Sequence, residues 1–315
     1  MTITQLEYIL SVAQHKNFTK AAQFCHVTQP TLSMQVQKLE EQLNIKIFDR
    51  SKKPIQLTGV GEKIVLQAKK IVSEAERIND IVDQDKEYIG GEFKLGIIPT
   101  IMPTLLPMFL KTFVNRFPKV KLIIEELNTI EVLNRLHSGE LDAAVVVTPL
   151  SLENIKERTL YYEPFVGYIP NNHRLSNKKF IEISDLNIND ILLLEDGHCF
   201  RQGVLNLCKA LEKNSTDKFK LESGSIDMLV KLANEGLGMT IIPYLNTFDL
   251  KKEEEKNLKF FENPAPARKV SLIFNKNELK IQIIESIYET ISAVIRGAIK
   301  FQDVNIISPL SDIHN

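Results

Sequence analysis

Residues 28–43 read TQPTLSMQVQKLEEQL, and this stretch decides the fold of the N-terminal part of the chain. Thr28 is a favourable helix N-cap, and Pro30 falls in the first turn, where a helix tolerates proline. Apolar residues then recur at spacings of four, three and four, which is typical of a helix with one buried face. They are Leu32, Val36, Leu39 and Leu43.

Two shorter helices are predicted before this one, because apolar residues recur at helical spacing on both sides of Asn17-Phe18. Only about three residues around His26-Val27 join the second helix to the third, as in a helix-turn-helix. The outward face of the third helix is polar and basic residues follow it, which suits contacts to base edges and phosphates. An ordinary three-helix bundle with a solvated face also fits this pattern. The candidate DNA-binding residues are Gln29, Thr31, Ser33, Met34, Gln35, Lys38, Arg50, Lys52 and Lys53.

The composition is that of a folded globular chain, with 43% hydrophobic and 25% charged residues among 315. Residues 1–58 hold seven basic and four acidic side chains, so a slightly basic head precedes a slightly acidic body. A basic head fits an anionic partner. No apolar run approaches the roughly 18 residues that a membrane helix needs, and the N-terminus lacks a basic signal segment. We therefore expect a cytoplasmic protein with no membrane partner.

After residue 58, apolar residues form a heptad seam that runs from Ile64 to Val82. A helix over about 59–88 would be roughly 45 Å long, and an apolar stripe of that length needs a partner. The partner is either a second copy of the helix or the head domain itself. From Phe93 onward strands and helices alternate, which predicts a parallel sheet flanked by helices. Residues 301–315 match no pattern, and a frayed tail is expected there.

The head resembles the winged helix-turn-helix of LysR-type transcriptional regulators at residues 18–22, 27–43 and 48–50. This resemblance implies a recognition helix from about Gln29, a wing over 46–57 and a dimerising linker helix. It also implies a two-lobed α/β effector domain akin to periplasmic binding proteins. The implied partners are promoter DNA, further copies of the chain and RNA polymerase, and the family is not enzymatic. The predicted domains are the winged helix-turn-helix 1–58, linker helix 59–89, lobe I 90–163 with 269–300, lobe II 164–268 and tail 301–315.

Three cysteines, Cys25, Cys199 and Cys208, are an odd and sparse set, which predicts free or transiently cycling thiols. Cys25 fits a small buried apolar position in the head. Cys199 falls at or just before a predicted helix start, where the helix dipole and Arg201 favour a thiolate, with His198 adding a hydrogen bond or charge. Burial beside the next residue would oppose them.

A disulfide between Cys199 and Cys208 conflicts with a helix over residues 200–208. Such a helix separates the two Cα atoms by roughly 13 Å, whereas a disulfide needs less than about 7 Å. Oxidation would therefore change the fold of this segment. On the pattern alone, a core role for Cys208 with an incidental Cys199 stays open. A zinc site lacks the usual ligand spacing, and no metal or cofactor is predicted.

Residues 193–201, together with Cys208, resemble the peroxide-sensing members of the LysR family. That resemblance implies a peroxidatic Cys199 and a resolving Cys208, with hydrogen peroxide and a cytosolic thiol reductant as partners. A LysR-type regulator of a small metabolite and a thiol peroxidase are the rival interpretations.

Residues 95–101 and 126–129 extend this resemblance. They imply that Thr100 and Thr129 help to bind peroxide or its leaving water, and helix capping is the other role expected of both. Gln202 departs from the aspartate common in these relatives, which puts a carboxylate-assisted proton transfer in doubt. Arg268 is the candidate match for an arginine of the family.

Overall fold

The computed structural model describes residues 1–85, 89–195, 199–208, 225–299 and 304–309. His198, a predicted site residue, lies outside these ranges. The chain forms two compact units, and each is described by itself. The first contains the head, the linker helix and residues 134–140, and the second contains the rest.

The head is a winged helix-turn-helix whose helices start where polar side chains cap them. Thr2, Asn17 and Thr28 each accept a hydrogen bond from an N–H of the first turn, which satisfies donors that the helix cannot. Leu43, predicted on the buried face, is exposed because the helix ends there. The elements are α1 (Ile3–His15), α2 (Phe18–Phe24), α3 (Gln29–Leu43), β1 (Phe48–Asp49) and β2 (Gln56–Leu57), the last two forming the wing.

The linker helix α4 (Gly59–Asp85) uses the first half of its apolar seam within its own unit. Ala68 is buried in the head core, and Ile64 and Ile71 pack against it. Packing on the head thus accounts for these positions. Ile78, further along the seam, is 63% exposed in the single chain.

The second unit is built on a mixed sheet in which β3 pairs in parallel with β4 and β5. The strand that returns from the far lobe runs antiparallel to β5 and to the strand after it, so the sheet is mixed and not parallel throughout as expected. The first elements are β3 (Gly91–Ile97), α5 (Met102–Arg116), β4 (Val120–Glu126), α6 (Thr129–Ser138, of which residues 134–138 are grouped with the first unit), β5 (Ala143–Thr148) and β6 (Ile155–Tyr168).

The following elements form the second lobe and the return to the first. They are β7 (Phe180–Ile181), β8 (Ile191–Leu192), α7 (Cys199–Leu207), α8 (Ile226–Asn234), β9 (Met239–Pro243), β10 (Leu258–Phe261), β11 (Ala265–Asn275), α9 (Ile281–Ala298) and β12 (Val304–Ile306).

The long strand β6 belongs to both lobes. It pairs with β11 as far as Pro164, and from Phe165 onward it pairs with β9, joined by β10 from Val166. One strand therefore carries residues of lobe I and lobe II within a few positions of each other.

The expectation of a frayed C-terminus is wrong for residues 304–306. These residues form β12, which lies parallel to β11, so backbone hydrogen bonds hold a segment that side-chain patterns did not reveal. None of the described helices combines the length and apolarity of a membrane span.

Candidate functional site

Cys199 is the first residue of α7, and the residue after it anchors the helix in the lobe II core. The Phe200 side chain is buried, and its ring meets that of Phe165 edge-on with centroids 5.3 Å apart. The thiol itself is partly buried. A packed aromatic side chain thus fixes the position of the helix start and of its cysteine.

Two opposing effects act on the Cys199 thiol. A hydrogen bond from Thr129, the positive charge of Arg268 and the Phe200 N–H each stabilise the thiolate. Burial outweighs them, so the pKa of Cys199 lies above its usual range. The sequence predicted that the helix start, Arg201 and His198 lower this pKa and that burial opposes them; in the structure burial sets the net direction.

A buried ion pair supplies the positive charge. Arg268 is 2% exposed, and its Nε donates to Glu163 Oε2 at 2.9 Å, while its Nη2 lies 2.8 Å from the same oxygen. The residues face each other in register across β6 and β11. The other oxygen of Glu163 accepts the Leu245 N–H at 2.9 Å. The carboxylate is therefore fully engaged and holds the guanidinium in place.

The other N–H groups of the Arg268 guanidinium point toward Thr100. Nη1 donates to Thr100 Oγ1 at 2.8 Å, and Nη2 donates to the Thr100 carbonyl at 2.9 Å. The guanidinium carbon lies 5.3 Å from the centre of the Phe200 ring, a cation–π contact with the residue that follows the cysteine. One cation thus links lobe I, through Thr100, to the start of α7 in lobe II.

Neither threonine has the capping role that was its other expected function. Helix α5 begins after Ile101 without a side-chain cap. Helix α6 is capped by Asn128, whose Oδ1 accepts the Glu131 N–H at 2.9 Å, while Glu131 accepts the Asn128 N–H. The Thr100 hydroxyl instead accepts from Arg268, and the Thr129 hydroxyl lowers the pKa of Cys199.

The other predicted residues of this segment lie along α7. Arg201 Nη1 donates to the Leu194 carbonyl at 3.0 Å, which ties the helix to the segment that follows β8. Gln202 Nε2 donates to Asn206 Oδ1 at 2.8 Å. Cys208 follows the helix and packs, partly buried, against the lobe II core, where burial raises its pKa to about 11. Within the described ranges, no group of His, Cys, Asp and Glu residues could hold a metal.

Glu163 is the residue of this site that sequence reasoning missed. It is fully buried. The signal was present, since residues 161–165 place a single carboxylate in an otherwise apolar and aromatic run within a strand. A buried carboxylate requires a cation, and Arg268 was the candidate.

The predicted DNA-binding residues of α3 divide into two groups. Gln29, Thr31, Met34 and Lys38 are exposed, while Ser33 and Gln35 are half-buried. Arg50 Nη1 lies within 3.3 Å of Ser33 Oγ. The exposed group therefore forms the accessible face of the helix. Two further candidates, Lys52 and Lys53, are exposed after β1.

Glu40 fixes the wing to the recognition helix. Its buried carboxylate accepts the N–H groups of Ile47 at 2.8 Å and Phe48 at 3.2 Å, and Arg50 lies 3.4 Å away. The same Arg50 rests on the ring of Phe18 at 4.7 Å. One carboxylate thus orders the start of the wing and a basic side chain predicted to contact DNA.

Two family models of known proteins match this chain, one over the head and one over the effector region. The model of the bacterial regulatory helix-turn-helix proteins of the lysR family matches residues 3–62, and that of the LysR substrate-binding domain matches residues 86–294. The chain belongs to the LysR family of transcriptional regulators. Members of this family are regulators and not enzymes.

Among LysR-family proteins the chain is similar to OxyR. It is 30% identical to the DNA-binding transcriptional dual regulator OxyR of Escherichia coli K12, over 94% of this chain and 95% of that protein. A full-length OxyR variant of Pseudomonas aeruginosa superimposes with a TM-score of 0.76 at 33% identity, covering 93% and 98% of the two chains. A Corynebacterium glutamicum OxyR mutant, described as bound to hydrogen peroxide, gives 0.61 at 26% identity over 94% and 93%.

Proposed function

We propose that the protein is a cytoplasmic, DNA-binding transcriptional regulator that senses hydrogen peroxide through a reversible disulfide between Cys199 and Cys208. One observation carries the proposal: Cys199 begins α7 beside the buried guanidinium of Arg268, which contacts the Phe200 ring and the Thr100 hydroxyl. The OxyR relatives support it, since one of them has been described with peroxide bound.

Hydrogen peroxide is small and uncharged, so a site for it must supply hydrogen-bond donors and a proton for the leaving oxygen. The charge of Arg268 and the Thr129 hydroxyl act on the side of the thiol. The Thr100 hydroxyl accepts from Arg268 and keeps its own proton to donate to a bound oxygen. Three protein groups are thereby oriented before any peroxide arrives.

In the first step the Cys199 sulfur attacks one peroxide oxygen, and the O–O bond breaks. The sulfur is oxidised to a sulfenic acid, while the other oxygen takes up a proton and leaves as water. The thiolate is the nucleophile, and burial keeps most of the thiol protonated at neutral pH. The donors around the sulfur stabilise charge as it develops, and they therefore limit the cost of burial.

In the second step Cys208 displaces the hydroxyl of the sulfenic acid, which forms the disulfide and releases a second water. Helix α7 spans the nine residues from Cys199 to Leu207. It keeps the two Cα atoms roughly 13 Å apart, about twice the span of a disulfide. The helix must therefore unwind, and unwinding also takes Cys208 out of the environment that raises its pKa to about 11.

The remaining assignments follow from the same proposal. Refolding of α7 alters the packing between copies of the chain in a dimer or tetramer. It thereby changes how the oligomer binds promoter DNA and how it acts on RNA polymerase. A cytosolic thiol reductant restores the dithiol. His198 holds peroxide, and Arg201 stabilises the thiolate; both roles are predictions. The recognition surface for DNA comprises the nine residues predicted from the sequence, of which Gln29, Thr31, Met34 and Lys38 are exposed on α3.

A brief peroxide pulse followed by thiol alkylation and mass spectrometry tests the proposal. We expect two of the three thiols to become protected in the wild type and both remaining thiols in Cys25→Ser, because Cys25 packs against the head core and takes no part in the disulfide. In Cys208→Ser the oxidation should stop at a Cys199 sulfenic acid that a dimedone reagent labels. In Cys199→Ser no thiol should become protected.

Three thiols that all remain alkylatable after the pulse would remove the peroxide proposal and leave a LysR regulator of a small metabolite. Rapid multiple turnover of peroxide without salt-sensitive binding to a promoter fragment would instead indicate a thiol peroxidase.

A further inference from the structure

The last described residues join the strand that carries the site's cation. Val304 lies opposite Ala265, and Ile306 opposite Ala267, in the parallel pair of β12 with β11. The Ile307 N–H donates to the Ala267 carbonyl at 2.8 Å. The next residue of β11 is Arg268. The C-terminal segment therefore ends its pairing directly beside the cation of the candidate site.

The same segment also holds α7. Asn206 Nδ2 donates to the Ser308 carbonyl at 3.0 Å, and Gln202 Nε2 donates to Asn206 Oδ1 at 2.8 Å. Ile307 packs against the lobe II core, and Pro309 is buried. Gln202 and Asn206 both lie between the two cysteines of the proposed disulfide. Residues 304–309 thus contact, through Ser308, the helix that the proposed oxidation must unwind.

We propose that residues 304–309 are a latch that holds α7 helical in the dithiol form and sets how readily the Cys199–Cys208 disulfide forms. The proposal rests on the proposed function, because the disulfide is the event that the latch opposes. Gln202 and Asn206 are four residues apart, so their side chains meet only while the segment is helical. An interaction made in one of two states shifts the equilibrium toward that state. The latch therefore favours the dithiol.

The equilibrium is measured with oxidised and reduced glutathione, which exchange two electrons with the cysteine pair. The two thiols become a disulfide as one glutathione disulfide becomes two glutathione thiols. Asn206→Asp removes the donor to Ser308 and leaves the acceptor for Gln202. We expect the disulfide-to-dithiol ratio at a fixed glutathione ratio to rise about fivefold, the size of one net hydrogen bond.

Asn305→Asp is the matched control, since this exposed side chain lies on β12 while its backbone pairs with Pro266. It should leave the ratio unchanged. A chain that ends at Asp303 should raise the ratio at least as much as Asn206→Asp. Equal ratios in the wild type and Asn206→Asp would overturn the latch.

Hydrogen exchange in the reduced protein separates the latch from the proposed function. The amides of residues 203–208 should exchange about fivefold faster in Asn206→Asp than in the wild type or the control, because opening is less costly. Unchanged exchange overturns the latch, whether or not a disulfide forms. Failure of the wild type to form a disulfide in any glutathione buffer overturns the proposed function, and the exchange rates still decide on the latch.

Discussion

At the scale of single residues, the chemistry of the site depends on a balance around one sulfur atom. Burial raises the pKa of Cys199, and the Arg268 charge and the Thr129 hydrogen bond partly offset that effect. Glu163 in turn neutralises much of the buried charge of Arg268. The cation therefore stabilises the thiolate of Cys199 without making the thiol strongly acidic. A thiol of this kind is mostly protonated and therefore unreactive in the absence of peroxide, and it reacts through its small thiolate fraction.

Thr129→Val tests this balance through the rate of oxidation. Loss of a hydrogen bond to the thiolate raises the pKa of Cys199 further, and we expect the rate at pH 7.5 to fall about tenfold, as for a hydrogen bond to a charged group. Since the folded pKa is raised, the rate in the wild type should climb with pH up to at least pH 9. The profile of the variant should shift to higher pH. Stopped-flow mixing with peroxide over pH 6–10 measures both.

Thr104→Val is the matched control, because this buried hydroxyl donates to the Ile101 carbonyl on α5 and makes no bond to the sulfur. It should leave the profile unchanged. Identical profiles for Thr129→Val and the wild type would exclude Thr129 from stabilising the thiolate.

At the scale of elements, a short helix and a short hairpin each depend on one polar contact at a defined place. Helix α7 is held near its end by Asn206, which donates to the Ser308 carbonyl. The wing is held by Glu40, whose buried carboxylate accepts two backbone N–H groups. In both cases a single side chain replaces contacts that a short element cannot make within itself.

Glu40→Gln should loosen the wing, because an amide presents an N–H where the carboxylate accepted one. Loss of this charge-assisted bonding should cost about 1–3 kcal/mol of head stability. We also expect weaker binding to a promoter fragment, since Arg50 loses its acidic partner. Thermal unfolding and fluorescence anisotropy measure the two effects.

Glu41→Gln serves as the control, because this neighbouring side chain is exposed and a glutamine still accepts from Gln37. Unfolding temperatures that coincide for Glu40→Gln and Glu41→Gln would contradict the anchoring role of Glu40.

At the scale of the whole molecule, the linker helix carries an apolar seam that one chain uses only in part. Its first half packs on the head core, and Ile78 beyond that region is 63% exposed. The heptad spacing continues through this position, which a second copy of the helix would match. We therefore infer a homo-oligomer joined through this seam.

Ile78→Asp should weaken the oligomer, because it places a charge within the seam. We expect at least a tenfold increase in the dissociation constant of the dimer, measured by sedimentation velocity across a dilution series. Leu66→Asp is the matched control, since Leu66 is exposed on the same helix and lies off the seam. A protein that stays equally associated in Ile78→Asp would exclude this seam as the interface.

The sequence by itself determined the elements that depend on neighbours along the chain. Helical spacing predicted α1 to α3, the capping residue Thr28 predicted the start of α3, and the cysteine spacing predicted the conflict between a helix and a disulfide. These features are local, because a period of three or four residues and a cap are complete within one element. The heptad seam likewise predicted that α4 needs a partner.

Tertiary structure alone decided how distant residues combine. Glu163 and Arg268 meet because β6 and β11 pair in one register, and no spacing along the chain encodes that pairing. Residues 304–306 form a strand because β11 offers backbone groups to them. The net direction of the Cys199 pKa followed from burial, which depends on everything packed around the sulfur and not on the residues beside it in sequence.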